Sequence, residues 1–254
     1  MEHTETDIGT GTAGAADTGS ASTESPLSRH GHHDGHGSRA DHDVDPAQFF
    51  TREYWDERYA DKQIWSGNPN ALLVRYAADL APGTALDVGC GEGADALWLA
   101  SRGWSVVGAD VSTVALQRAA QAAERSDAGA AERITWQQAD VVGADWAPPQ
   151  RFDLVSAQFV HLPTQMRESL HRRLAAAVRP GGTLLVVGHH PSDLETSVRR
   201  PQLPGMFATG EEMAAVLDPE HWDVETAVAQ REAADADGAV VTIHDAVVRA
   251  VRRR

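Results

Sequence analysis

The segment Asp87-Val88-Gly89-Cys90-Gly91-Glu92-Gly93 constrains this 254-residue chain more than any other. An acidic residue ending an apolar run, followed by glycine at every second position, describes a loop whose backbone comes within contact distance of an adenosyl ligand. Cβ atoms there would collide with it. Thr84-Ala85-Leu86-Asp87-Val88 has the composition of a short buried parallel strand, and Ala94 to Ala100 that of a helix ended by Gly103. Strand, glycine turn and helix thus stand in the order that a nucleotide site needs. The helix N-terminus offers unpaired N–H groups and positive dipole to a carboxylate.

Gly89-x-Gly91-x-x-Ala94 also satisfies the dinucleotide fingerprint, with Asp110 about 20 residues on, where a ribose-binding acid is expected. A nicotinamide (NAD(P)) oxidoreductase is therefore an open alternative. Three features favour S-adenosylmethionine. Asp87 puts a carboxylate where the dinucleotide motif has an apolar residue, and it can hold an ammonium. The next two strands also end in acids, Asp110 and Asp140, and the glycine doublet comes after some 80 residues of other sequence, roughly half a domain's length.

The length suits one domain plus a tail, and 42% apolar content supports a sizeable core. With one cysteine, Cys90, no intramolecular disulfide forms, and no apolar run reaches membrane-spanning length. The polar start carries no evident secretory signal, so the expectation is a soluble cytoplasmic protein without a membrane partner. A net charge of −15 opposes a general polyanion-binding role. Residues 1–45, rich in Gly, Ser, Thr, Ala, Asp and His, read as a disordered acidic tail. Its His30, His32, His33 and His36 beside Asp34 suggest a second alternative, a zinc- or nickel-binding sensor; the simpler expectation is a solvated tail, with no metal site assigned.

A domain is expected over residues 46–254, opening at Asp45-Pro46 as helix cap and first helical residue. The helix that follows carries an aromatic face, through Phe50/Tyr54 and Trp55/Tyr59, and a turn at Gly67-Asn68-Pro69-Asn70 starts a second helix over 71–80. These helices, within residues 46–82, are placed to cap the ligand. Strands are predicted at 84–88, 104–110, 134–139, 152–158 and 183–188, alternating with helices such as 116–124 and 166–178. Thr209-Gly210-Glu211-Glu212 resembles a capping box before a helix at 213–217, and strands at 222–228 and 239–249 can pair antiparallel. The alternation predicts an α/β fold, a parallel sheet covered by helices on both faces.

In order and spacing these signals resemble the class I S-adenosylmethionine-dependent methyltransferase family over roughly residues 46–252. Asp87 to Gly93 matches its first motif, Val107-Gly108-Ala109-Asp110-Val111-Ser112 the second, Gln138-Ala139-Asp140-Val141 the third, and Phe152-Asp153-Leu154-Val155 the fourth. Arg179-Pro180-Gly181-Gly182 is similar to the turn into strand five. The resemblance implies a Rossmann-like, mostly parallel seven-stranded sheet with one antiparallel strand. Tyr54-Trp55-Asp56-Glu57-Arg58-Tyr59, with Trp65 and Asn68-Pro69-Asn70, is similar to the tellurite-resistance and thiopurine methyltransferase-like branch, whose acceptors are small and often chalcogen nucleophiles.

Carried onto this chain, the resemblance implies cofactor contacts from Asp87, Gly89, Cys90, Gly91 and Gly93, from Asp110 with Val111, Asp140 with Val141, and Gln158, and from Trp55, Arg58 and Trp65. Asp110 would accept from both ribose hydroxyls and Asp140 from the adenine amino group. Methyl transfer is an in-line displacement from a sulfonium, so alignment and desolvation of the nucleophile dominate and a dedicated base is optional. His189 or His190 after the fifth strand, then His161 after the fourth, are the candidates for acceptor contact or proton acceptance. Ser156-Ala157-Gln158-Phe159 lacks the Pro-Pro-aromatic sequence of base-modifying amino methyltransferases, so a small-molecule acceptor is expected and a nucleic acid is not.

Overall fold

The computed structural model describes residues 48–201 and 203–254. The expected tail, its histidine cluster and the Asp45-Pro46 cap lie outside them. Helix α1 (Arg52–Ala60) instead begins at Thr51, whose side chain accepts the Tyr54 N–H, and Gln48–Phe50 forms a short 3-10 turn before it. Phe50 and Tyr54 therefore do not share a helix. Tyr54 packs on Phe49 at 4.8 Å, while Trp55 meets Tyr59 at 5.9 Å as i, i+4 neighbours. Helix α2 (Ala71–Ala77) is capped by the Asn70 side chain.

Strands β1 (Thr84–Val88), β2 (Ser105–Asp110), β3 (Ile134–Gln138), β4 (Phe152–Gln158) and β5 (Val178–His189) alternate with helices α3 (Ala94–Ser101), α4 (Thr113–Ser126), α5 (Ala128–Ala131) and α6 (Thr164–Ala177). Helix α7 (Gly210–Ala214) follows, with the expected capping box between Thr209 and Glu212. The chain then closes on β6 (Trp222–Ala234) and β7 (Val240–Arg252). The seven strands lie in the order β3-β2-β1-β4-β5-β7-β6, and only β7 runs against its neighbours. This is the expected doubly covered, mostly parallel sheet with one reversed strand.

Alternation along each strand divides the core. Leu86, Val155 and Leu184 face α6 and α7 with Leu170, Leu174 and Met213; Ala85, Leu154, Leu185 and Val187 face α2 and α3 with Leu73, Ala96 and Leu99. Burying each such leucine contributes roughly 1.5–3 kcal/mol. Arg179 to Gly182 do not form a separate turn but an irregular stretch inside β5, where Phe152 pairs with Val178 and Leu154 next with Thr183. Among the described residues no helix is long and apolar enough to cross a membrane.

Candidate active site

The strand order reverses between β1 and β4, and a ligand crevice is expected at the carboxyl ends on either side of that point. Asp110, Gln158 and His189 end strands there, Asp87 is the last residue but one of β1, and all four line one cavity of about 370 Å³. Gly89, Cys90, Gly91, Gly93, Val111, Val141, Trp55, Trp65 and His161 also line it. Arg58, Asp140 and His190 are not among its lining residues. Asp140 is exposed and its carboxylate accepts the Val142 and Gly143 N–H groups of its own turn. The His190 Nδ1 bonds Ser192 Oγ at 2.9 Å beside the 3-10 turn Pro191–Glu195.

The glycine loop is folded over Asp110. Gly91 and Ser112 donate N–H bonds to its two carboxylate oxygens at 2.8 and 2.9 Å, and Gly89 and Cys90 donate to the Ala109 carbonyl. Gly91 and Gly93 have φ of +51° and +82°. A Cβ on Gly91 would lie 2.9 Å from Tyr59 Oη, and one on Gly93 2.5 Å from Trp136. Thus these glycines are enforced by backbone conformation and by the protein's own side chains, in addition to any ligand.

The N-terminal helices are pinned to this loop. Glu92 accepts the Ile64 and Trp65 N–H groups at 3.1 Å and pairs with Arg118 at the same distance. Asp56 accepts from Ser112, Thr113 and Val114 at the start of α4, and Trp65 Nε1 donates to Tyr59 Oη at 2.8 Å. Phe49, Phe50, Trp55 and Trp65 thereby roof the cavity.

Electrostatically the cofactor end is anionic. Asp87 is 2% exposed, and its Oδ2 is buried with no hydrogen-bond partner. Burial, then the carboxylates of Asp95 and Asp110, push its carboxyl well above the usual range. Asp95, at the start of α3, accepts the Asn70 N–H at 2.6 Å, and burial pushes it up to about 6. Burial also raises Asp110, against the opposing N–H bonds from Ser112, Gly91 and Val111. Three clustered carboxylates, Asp87 and Asp110 buried and Asp95 half-buried, one with an orphaned oxygen, are costly without a cation. S-adenosylmethionine, carrying an ammonium and a sulfonium, fits that deficit.

The opposite end is aromatic and histidine-rich. Phe159, His161, His189 and Phe207 form one cluster, with the two imidazoles stacked at 4.6 Å and 17°. His189 is 2% exposed, and its Nδ1 lies 3.2 Å from Asp245 Oδ1, while Arg231 Nε donates to Asp245 Oδ2 at 2.7 Å. The sequence marks Tyr59 only as part of an aromatic helix face, and it does not mark Asp95, Arg231 or Asp245 as site residues. Asp95 had a signal in its place in the first turn after the glycines. Arg231 and Asp245 had none, since only the strand register brings them opposite β5.

A family profile described as a methyltransferase domain matches residues 85–182. The chain is similar to the 2-heptyl-1-hydroxyquinolin-4(1H)-one methyltransferase of Mycobacteroides abscessus, 27% identical over 186 residues that cover 72% of this chain and 78% of the other. It is 31% identical to a thiopurine S-methyltransferase of Vibrio cholerae over 151 residues, 53% of this chain and 68% of the relative. Its fold is similar to TehB from Haemophilus influenzae, with a TM-score of 0.57 and 18% identity over 80% of this chain and 67% of the other. The matched segment carries the glycine loop and the strand-end acids, and the anionic pocket suits a sulfonium. This chain accordingly belongs to the class I S-adenosylmethionine-dependent methyltransferases, in their thiopurine methyltransferase-like branch, and S-adenosylmethionine is its methyl donor.

Proposed function

We propose that the domain over residues 46–254 transfers a methyl group to a small-molecule nucleophile held at the aromatic end of the cavity, in the cytoplasm and not on nucleic acid. The orphaned Asp87 Oδ2 beside Asp95 and Asp110 is the observation that carries this reading. The bound cofactor supplies an electrophilic methyl carbon on a good leaving group. Asp87 holds the methionine ammonium, and Asp110 uses its remaining lone pairs for the ribose hydroxyls. Val141, Val111 and the loop glycines flank the adenosine; Trp55 and Trp65 cover it, and Gln158 faces the junction of the two halves. The two relatives are named for a thiopurine and a hydroxyquinolone, both flat rings, and Phe49, Phe50, Phe159 and Phe207 offer walls for such a ring. Thiols and other chalcogen nucleophiles belong to the same acceptor set. Assaying small thiols, selenols, phenols and amines for S-adenosylhomocysteine production tests the reading; tight NADH binding with no affinity for S-adenosylmethionine refutes it.

Two predictions attach to the cofactor end. Asp110→Ala should weaken S-adenosylmethionine binding by about 1.5–3 kcal/mol, the range for hydrogen bonds to a charged group; an unchanged calorimetric affinity contradicts the ribose role. The second concerns pH. Because the folded Asp95 carboxyl lies above its ordinary value, its stabilising contribution in the unliganded protein is present below about pH 4 and lost as pH rises through about 6. A cation favours the ionised form, so the dependence of binding is opposite in sign. Affinity should fall by up to roughly tenfold from pH 7.5 to pH 5, with proton release on binding near pH 6. Titrations in two buffers of different ionisation enthalpy measure both, and Asp95→Asn should flatten the profile.

A further inference from the structure

The connection between β3 and β4, residues 139–151, contains no helix or strand to satisfy its own backbone polar groups. Two side chains supply partners instead, one for each sign. The Asp140 carboxylate turns back on its own loop and accepts the Val142 and Gly143 N–H groups at 3.1 and 3.0 Å, so closely that a Cβ on Gly143 would lie 2.9 Å from Oδ2. Arg173 reaches the same loop from α6. Its guanidinium donates to the carbonyls of Val141 at 3.2 Å, Trp146 at 3.0 Å and Gly143, and lies 5.7 Å from the Trp146 ring centre. Leu170 and Leu174, on the same helix, are buried in the core and fix the element that carries Arg173. Val141 is buried and lines the cavity beside Val142, and its N–H group has no partner among the described residues.

We propose that Arg173 is a positioning residue for the cofactor's base: by clamping three carbonyls of the β3–β4 loop, it holds the Val141 N–H where ring nitrogen N1 of adenine accepts it. The inference rests on the placement of adenosine beside Val141 in the methyl-transfer reading above. A segment without regular structure loses conformational freedom when a ligand orders it, whereas one already held in the bound shape binds without that cost. A guanidinium suits the task because its planar fork of donors reaches several carbonyls at once, which an ammonium on a flexible stem does less well. Of the N–H groups on Val141, Val142 and Gly143, the last two are taken by Asp140, which leaves that of Val141 for the ligand. A buried N–H set against a base with no acceptor at that position costs affinity. This one bond therefore distinguishes adenine from a base lacking N1.

The test is calorimetry on the full-length wild-type protein, Arg173→Met and Arg173→Lys with three ligands: S-adenosylhomocysteine, its 1-deaza analogue, in which C–H replaces N1, and S-ribosylhomocysteine, which lacks the base. Wild type should prefer the first to the second by about five- to a hundredfold. Arg173→Met keeps the packing of the stem but no donor. It should bring those two ligands within about threefold of each other while S-ribosylhomocysteine binds as it does to wild type, and Arg173→Lys should fall between. A domain loosened as a whole would lose affinity for all three ligands in parallel; that result overturns the proposal, as does a ratio that Arg173→Met leaves unchanged. Should Arg173→Met not fold, wild-type ¹H–¹⁵N spectra decide. The Val141 amide should move downfield and gain exchange protection with S-adenosylhomocysteine and not with the 1-deaza analogue, and the same response to both overturns the proposal. Equal wild-type affinities for those two ligands overturn it too, yet leave methyl transfer standing. Failure to bind S-adenosylhomocysteine at all sinks the underlying reading itself.

Discussion

Asp87→Asn is expected to weaken S-adenosylmethionine binding by about 1.5–3 kcal/mol, roughly ten- to more than a hundredfold, while raising the stability of the unliganded protein by about 0.5–2 kcal/mol. The opposite signs have one cause. A carboxylate that is 2% exposed, with Oδ2 lacking any hydrogen-bond partner and two more acids close by, disfavours the folded state when ionised. The same unmet negative charge is what an ammonium compensates. Asparagine keeps the shape and one acceptor oxygen but removes the charge, so folding improves as the ligand is lost. Thermal melting without ligand and calorimetry with it separate the two effects, and a variant that loses stability and affinity together contradicts this assignment.

Gly93→Ala is expected to cost about 2–5 kcal/mol of stability, enough to unfold a marginal domain. Gly93 opens α3 at φ +82°, where an L-residue loses roughly 1–2 kcal/mol to its own Cβ. That Cβ would also lie 2.5 Å from Trp136 and 2.7 Å from Ala119, an overpacking that typically costs about 1–3 kcal/mol. Since both atoms belong to the protein, the loss should appear in chemical denaturation without any ligand. A native-like midpoint would mean that β3 and α4 yield to the extra methyl group and that the loop is held less tightly than described.

The β1-loop-α3 unit was legible because its determinants are local: a buried apolar run, glycines at positive φ, and acids at strand ends. The hairpin at the end of the chain was legible only in outline. Ala229-Gln230-Arg231-Glu232-Ala233-Ala234 has helix-forming composition, yet β6 continues through it because every residue from Trp222 to Ala234 has a partner on β7. Pairing over that length outweighs local preference. It also carries Arg231 and Asp245 to the aromatic end of the cavity, a placement that no spacing within the sequence announces. His190 and Asp140 looked as suited to the site as His189 and Asp110, being one residue along or one strand over. Neither is among the residues that line the cavity: His190 Nδ1 bonds Ser192 and Asp140 accepts the N–H groups of its own turn, an arrangement set by local side-chain direction rather than by residue type.

The claim beneath all of this is that buried acids at the strand tips recognise the charged amino-acid end of the methyl donor. Calorimetric titration of wild type and Asp87→Asn with S-adenosylhomocysteine and with 5′-methylthioadenosine, which lacks that end, tests it most directly. Wild type should bind the first more tightly, and Asp87→Asn should erase the difference while leaving 5′-methylthioadenosine affinity as it was. Equal wild-type affinities for the two ligands, or a parallel loss of both in the variant, would contradict it.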